Sequence, residues 1–129
     1  MESIIFIIGR VLLGGFFINS GISHFKGIAM MSGYAQMKGV PLPKASVAFS
    51  GVLLLVGGLS ILLGVYPTVG VAALAIFLLP VTYMMHAFWK VQDPMAKMGE
   101  MVNFAKNMAL LGAALTLLAI PQPWTVSLF

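Results

Sequence analysis

His24 and His86, Arg10, and the Lys106 and Asn107 of an NFAKN segment are the residues of this 129-residue chain whose types could do chemistry. An arginine in an apolar run carries a fixed charge and donors that hold a carboxylate, phosphate or carbonyl oxygen, or it snorkels to an interface. Histidines exchange protons near neutral pH, and lysine and asparagine donate hydrogen bonds. Together such groups could bind a quinone carbonyl, relay protons or hold a lipid headgroup. The plain alternative is that interface histidines and asparagines cap helix ends and satisfy one another. Haem ligation by the two histidines is disfavoured, because nothing around them signals it. Met30, Met31, Met37, Met95, Met98 and Met101 read as soft side chains buried among headgroups rather than copper ligands, so no metal is expected. The chain has no cysteine, which excludes thiol redox steps, iron–sulfur ligation and disulfides, and no covalent cofactor is expected. Any redox chemistry needs a borrowed cofactor. The sequence contains no glycine-rich phosphate loop, nucleophile constellation or carboxylate pair.

The elements that must position these residues are set by hydropathy. With 60% hydrophobic and 8% charged residues and a mean hydropathy of +1.05, the chain lacks the polar surface of a soluble globule. Spans of about 20 residues each use most of its length, which predicts a single all-α domain, 1–129, folded as an integral membrane four-helix bundle. The predicted spans are 4–25, 45–65, 68–89 and 104–121, with interfacial segments at 26–44 and 90–103. The first run has no basic residue before it and no small-residue cleavage site, and reads as a retained helix. Tyr66, Pro67 and Thr68 make a tight antiparallel connection, Pro80 is a candidate kink, and Trp124 a candidate interface anchor.

At roughly 100° per residue, Arg10, Gly14, Phe17, Gly21 and His24 share one face of the first helix. Ser50, Gly57 and Gly64 recur on one face of the second, and Gly14, Gly21, Gly57 and Gly64 read as helix-packing residues. Thr82, His86 and Trp89 share a face of the third. Counting depth along antiparallel helices gathers His24, His86, Lys106 and Asn107 at one level, with Arg10 near the opposite interface. The candidate partners of Arg10 are Glu2, backbone carbonyls, a lipid phosphate or a ligand oxygen. Asn19 points away from this face, towards a second packing face or an oligomer contact. The net charge of +4 comes from seven basic residues placed where apolar runs end. They read as topology signals rather than a nucleic-acid surface, and the positive-inside rule puts both long loops in the cytoplasm and both termini outside.

GRVLLGGFFINSGISHF, KGVPLP, GVLLLVGGLSILLG, HAFWKVQDP and NFAKNMALLGAAL, in that order along the chain, resemble the DoxX family of small four-helix membrane proteins. The resemblance implies an inner-membrane protein, named after a small subunit of a thiosulfate:quinone oxidoreductase, whose other members look like accessories of redox or oxidative-stress complexes. Carried over residue by residue, Arg10, Ser20, Gly21, His24, His86, Trp89, Lys106 and Asn107 occupy the family's recurrent polar positions. Many relatives carry a glutamate in the second helix where this chain has Leu54, a departure that removes an obvious partner for Arg10 and weakens a proton-relay role. The resulting expectation is a membrane subunit that binds a quinone or lipid-like ligand beside other membrane or redox proteins. The alternatives are a non-catalytic scaffold or a small transporter. Membrane lipids are expected partners, and a homo-oligomer stays open.

Overall fold

A computed structural model describes residues 2–127, and the described chain is helical almost throughout. Helix α1 spans Glu2–Lys26, α2 Ile28–Met37, α3 Pro43–Leu63, α4 Pro67–Met85 and α5 Pro94–Thr116. Four stretches are long and apolar enough to cross a bilayer: Ser3–Lys26, Pro43–Leu63, Pro67–Lys90 and Pro94–Ala119. The short α2 lies between the first two, as the 26–44 interfacial reading requires.

Prolines start three of these helices. Pro43, Pro67 and Pro94 each occupy the first helical turn, where the missing N–H is no loss. Before two of them stand Leu42 and Tyr66, both at φ 45°. These left-handed residues reverse the chain within a very short connection. Ser60 Oγ steadies the second reversal by donating to the carbonyls of Val65 and Tyr66. Pro80 lies within α4 without ending it.

Two boundaries differ from those predicted. The α-helix of the third span stops at Met85, and a single 3₁₀ turn, Phe88–Lys90, forms the last residues of the span. The fourth helix begins ten residues before position 104, so most of the 90–103 loop is helix. Its start is capped by Asp93, whose Oδ2 accepts from the Ala96 N–H at 2.9 Å. The Pro94–Ala119 span would be about 39 Å long as a helix, more than the hydrocarbon thickness of about 30 Å, so its first turns stand in the interface. The exposed Met95, Lys97 and Met98 belong there.

The helices pack as an arc in the order α1, α3, α4, α5, and the backbones of α1 and α5 do not pack on each other. The tightest contact joins α1 to α3. A Cβ on Gly14 would lie 2.8 Å from the Gly58 carbonyl oxygen, and one on Gly21 3.0 Å from that of Gly51. In both pairs the residue numbers add to the same total, the mark of an antiparallel register held over two helical turns. Small residues thus let backbones touch, which in lipid replaces the hydrophobic drive between helices. Gly57 faces α4, where Leu74 and Gly70 cover it. Gly64, predicted as a packing residue, is instead the left-handed C-cap of α3 at φ 71°. Phe17, Leu54, Ile61, Leu74, Leu78 and Leu111 form the core of the arc.

Candidate functional site

A cavity of about 460 Å³ opens inside the arc towards its basic end. Four of the six predicted ligand-binding residues line it: His24 from α1, His86 just past α4, and Lys106 and Asn107 from α5. Ser20 and Ser50 add hydroxyls, while Phe77, Leu78 and Leu54 make the wall apolar. The four residues that depth counting placed at one level thus meet around one cavity, because rise per residue is constant in every helix.

Asn107 is 7% exposed, yet its amide makes no hydrogen bond to another described residue. Lys106 forms no ion pair among the described residues. The ring of His24 is oriented locally, with Nδ1 2.8 Å from the Ser20 carbonyl oxygen one turn earlier. A carbonyl can only accept, so Nδ1 carries the hydrogen and neutral His24 presents Nε2 as an acceptor. The cavity therefore offers donors on α5 and an acceptor on α1.

Glu100, absent from the predicted cluster, ties the basic end together. Its Oε2 lies 3.4 Å from His86 Nδ1 and 3.5 Å from Lys38 Nζ, and Asn103 Nδ2 donates to Oε1 at 3.4 Å. The carboxylate thus joins α5 to the segment after α2 and to the turn after α4, which places both basic loops at one end of the molecule. It was missed because residues 94–103 read as loop; the Asp93–Pro94 pair, a cap followed by a first-turn proline, was the signal for the earlier helix start. Glu100→Gln is expected to raise amide exchange in the first turns of α5 while changing global stability by no more than about 1 kcal/mol, the scale of a partly exposed pair. Hydrogen–deuterium exchange mass spectrometry checks this, and unchanged exchange there would mean that Glu100 does not hold α5.

The other two predicted site residues lie elsewhere. Trp89 is outside the cavity, in an aromatic group with Tyr83, Phe88 and Phe104, because the helix that was to carry it ends at Met85. Arg10 sits at the far end and is 3% exposed. Its guanidinium donates to the carbonyls of Ile61 at 3.0 Å, Leu62 at 3.1 Å and Val126 at 3.0 Å, and also to that of Thr125. The first two belong to the last turn of α3, whose carbonyls have no intrahelical partner and which carries the negative end of the helix dipole. The other two belong to the C-terminal tail, which folds back over the bundle. Of the candidate partners, backbone carbonyls occupy the guanidinium; the Glu2 side chain lies outside the described residues. Trp124, expected as an interface anchor, is 3% exposed beneath Arg10 and edge-on to Phe6. Leu54, where relatives were expected to carry a glutamate, lines the cavity and sits two helical turns from Ile61. An acid there would face the ligand space rather than Arg10.

The fold and its cavity define a small polytopic membrane protein with a polar pocket opening among its helices. A family model described as DoxX matches residues 5–87, well over half of the chain, and the protein belongs to the DoxX family. The match runs from α1 to just past α4. It ends before α5, so the NFAKN segment and the three α5 residues of the cavity, Lys106, Asn107 and Leu110, lie beyond it. No curated protein and no solved structure matches the chain.

Proposed function

We propose that this protein is a small integral subunit or accessory of a quinone-linked membrane redox complex, and that its cavity binds a quinone or lipid-like ligand. The observation that supports this best is that the amide of Asn107, unpaired among the described residues, lines the cavity. An amide that faces the cavity with no protein partner is free to hydrogen-bond a ligand there. The volume falls within the roughly 300–1,000 Å³ of ligand pockets, and the mostly apolar wall with few polar groups is their usual chemistry.

A quinone fits the donor set. Asn107 Nδ2 and Lys106 Nζ would hold a carbonyl oxygen of the quinone, and in the reduced quinol His24 Nε2 would accept from the hydroxyl and take its proton as the electrons pass to the partner's cofactor. Bound there, a quinone would supply two-electron redox chemistry, with the electron-carrying cofactor in a partner protein. The basic loops 26–44 and 90–103 would face the cytoplasm across the inner membrane, with both termini outside.

The test is native purification in mild detergent followed by extraction and mass spectrometry of retained quinone. Asn107→Leu is expected to leave the fold intact, because no hydrogen bond to another described residue is lost and the size is similar, while retained quinone falls at least about tenfold. Wild-type protein that retains no quinone, or a variant that retains as much as wild type, would overturn the reading.

A further inference from the structure

The cavity is lined from all five helices, and part of its lining is also molecular surface. Leu54, Phe77 and Leu78 of α3 and α4 form its back, and Met31 and Ala35 of α2 lie across its basic end. Beside α2, the Lys38–Glu100–His86 contacts join α5 to the rest of the bundle. Between α1 and α5 the backbones do not pack on each other. The residues at this gap belong to cavity and surface at once: Phe16 of α1 is 43% exposed and lines the cavity, and the exposed Lys106 of α5 lines it too. In a protein that crosses the bilayer with these helices, a gap at the depth of Phe16 and Leu110 faces acyl chains. At the basic end the exposed Met30 and Tyr34 of α2 also line the cavity, so that rim meets the headgroups while the α1–α5 rim meets the acyl chains.

We infer that the cavity is loaded sideways from the bilayer, through the gap between α1 and α5, by an amphiphile. Its head is a hydrogen-bond acceptor, a carbonyl or carboxylate oxygen, that seats on Asn107 and Lys106, and its apolar tail stays in the gap. The inference rests on the proposed reading of the cavity as a ligand site, and it sets the class of ligand: a membrane-dissolved molecule with a tail. The polarity of the two rims supports this direction. The donors stand on α5 inside the opening, while the α1 rim offers the Phe16 ring, against which a hydrocarbon chain can lie. A water-soluble ligand with the same head would have no use for an opening that meets lipid.

The full chain in phosphatidylcholine vesicles, illuminated with a diazirine-bearing long-chain fatty acid, tests the route through peptide mapping of the label. Label is expected on the back wall, at Leu54 and Phe77. It should fall at least about tenfold in Ser20→Trp, which fills the gap from α1, and in Leu110→Trp, which fills it from α5. Circular dichroism confirms that each variant is folded, and either one suffices if the other is not. A back wall without label in the wild type, or labelled equally in a folded gap variant, would overturn the inference. Competition separates it from the quinone reading. Decylubiquinone that displaces the interior label supports both. Displacement by unlabelled fatty acid but not by decylubiquinone leaves the lateral route standing and counts against the quinone.

Discussion

Arg10→Met is expected to cost about 3 kcal/mol of stability, the largest single-residue effect outside the helix-packing glycines. The substitution keeps the length of the side chain but strips the donors from four carbonyls, two closing α3 and two in the C-terminal tail. These oxygens lie where little water can replace the guanidinium, so the loss exceeds that of an exposed hydrogen bond. The tail should also come free. Ser127 Oγ donating to the Gly64 carbonyl at 2.7 Å and Gln122 Nε2 donating to Thr68 Oγ1 at 3.1 Å also tether the tail, through neutral hydrogen bonds. In a Trp89→Phe background the emission of Trp124, now buried against Phe6 and Arg10, should shift to the red. Arg10→Lys should recover no more than about half of the loss, because a point ammonium cannot reach carbonyls on two chain segments in the planar fork of a guanidinium. Thermal unfolding in detergent measures the stabilities. A Met variant as stable as wild type but empty of ligand would return Arg10 to the binding site.

Gly58→Ala is expected to be at least as damaging, with α1 and α3 forced apart at a cost of about 3 kcal/mol or loss of the folded protein. The new Cβ would stand 2.8 Å from the Gly14 carbonyl oxygen and 2.9 Å from the Ile18 backbone nitrogen. Both neighbours are backbone, so no rotamer change can relieve the clash. Gly15→Ala supplies the control, since a Cβ there meets nothing within 4 Å, and it should be neutral or slightly stabilising through helix propensity. Gly57→Ala falls between them, because its closest neighbour is the movable end of Leu74. Purification yield and thermal unfolding of the three variants rank them, and equal behaviour of Gly58→Ala and Gly15→Ala would show that the glycine contact does not set the α1–α3 distance.

Particular residues show how much of this was legible beforehand. The first three spans could be bounded because Lys26, Pro43 and Pro67 interrupt otherwise apolar runs, and hydropathy and proline chemistry act over a few residues. The start of α5 was misplaced because Lys97, Gly99 and Glu100 lower the local hydropathy, although the helix they belong to simply extends beyond the hydrocarbon. With that start came Glu100, whose role depends on meeting Lys38 and His86 from distant parts of the chain. The glycine faces were half legible. Gly14 and Gly21 lay on the predicted inner face of α1, but their partners Gly58 and Gly51 are fixed by the register between two helices, and Gly64 went to a cap.

Return, then, to the histidines, the lysine and the asparagine. Their common depth was determined by the sequence alone, because rise per residue converts residue number into distance along the bundle normal. Membrane residence and the four-helix count were determined in the same way, by composition and run length. Only the tertiary structure decided that these groups surround an open space, that α1 and α5 leave its side unclosed, and that Arg10 is occupied by carbonyls of α3 and the tail. The physical reason is that depth is a one-dimensional property of each helix, whereas neighbours around the bundle axis depend on which faces pack and how a tail returns. Those are set by contacts between residues more than a hundred positions apart, as Arg10 and Val126 are.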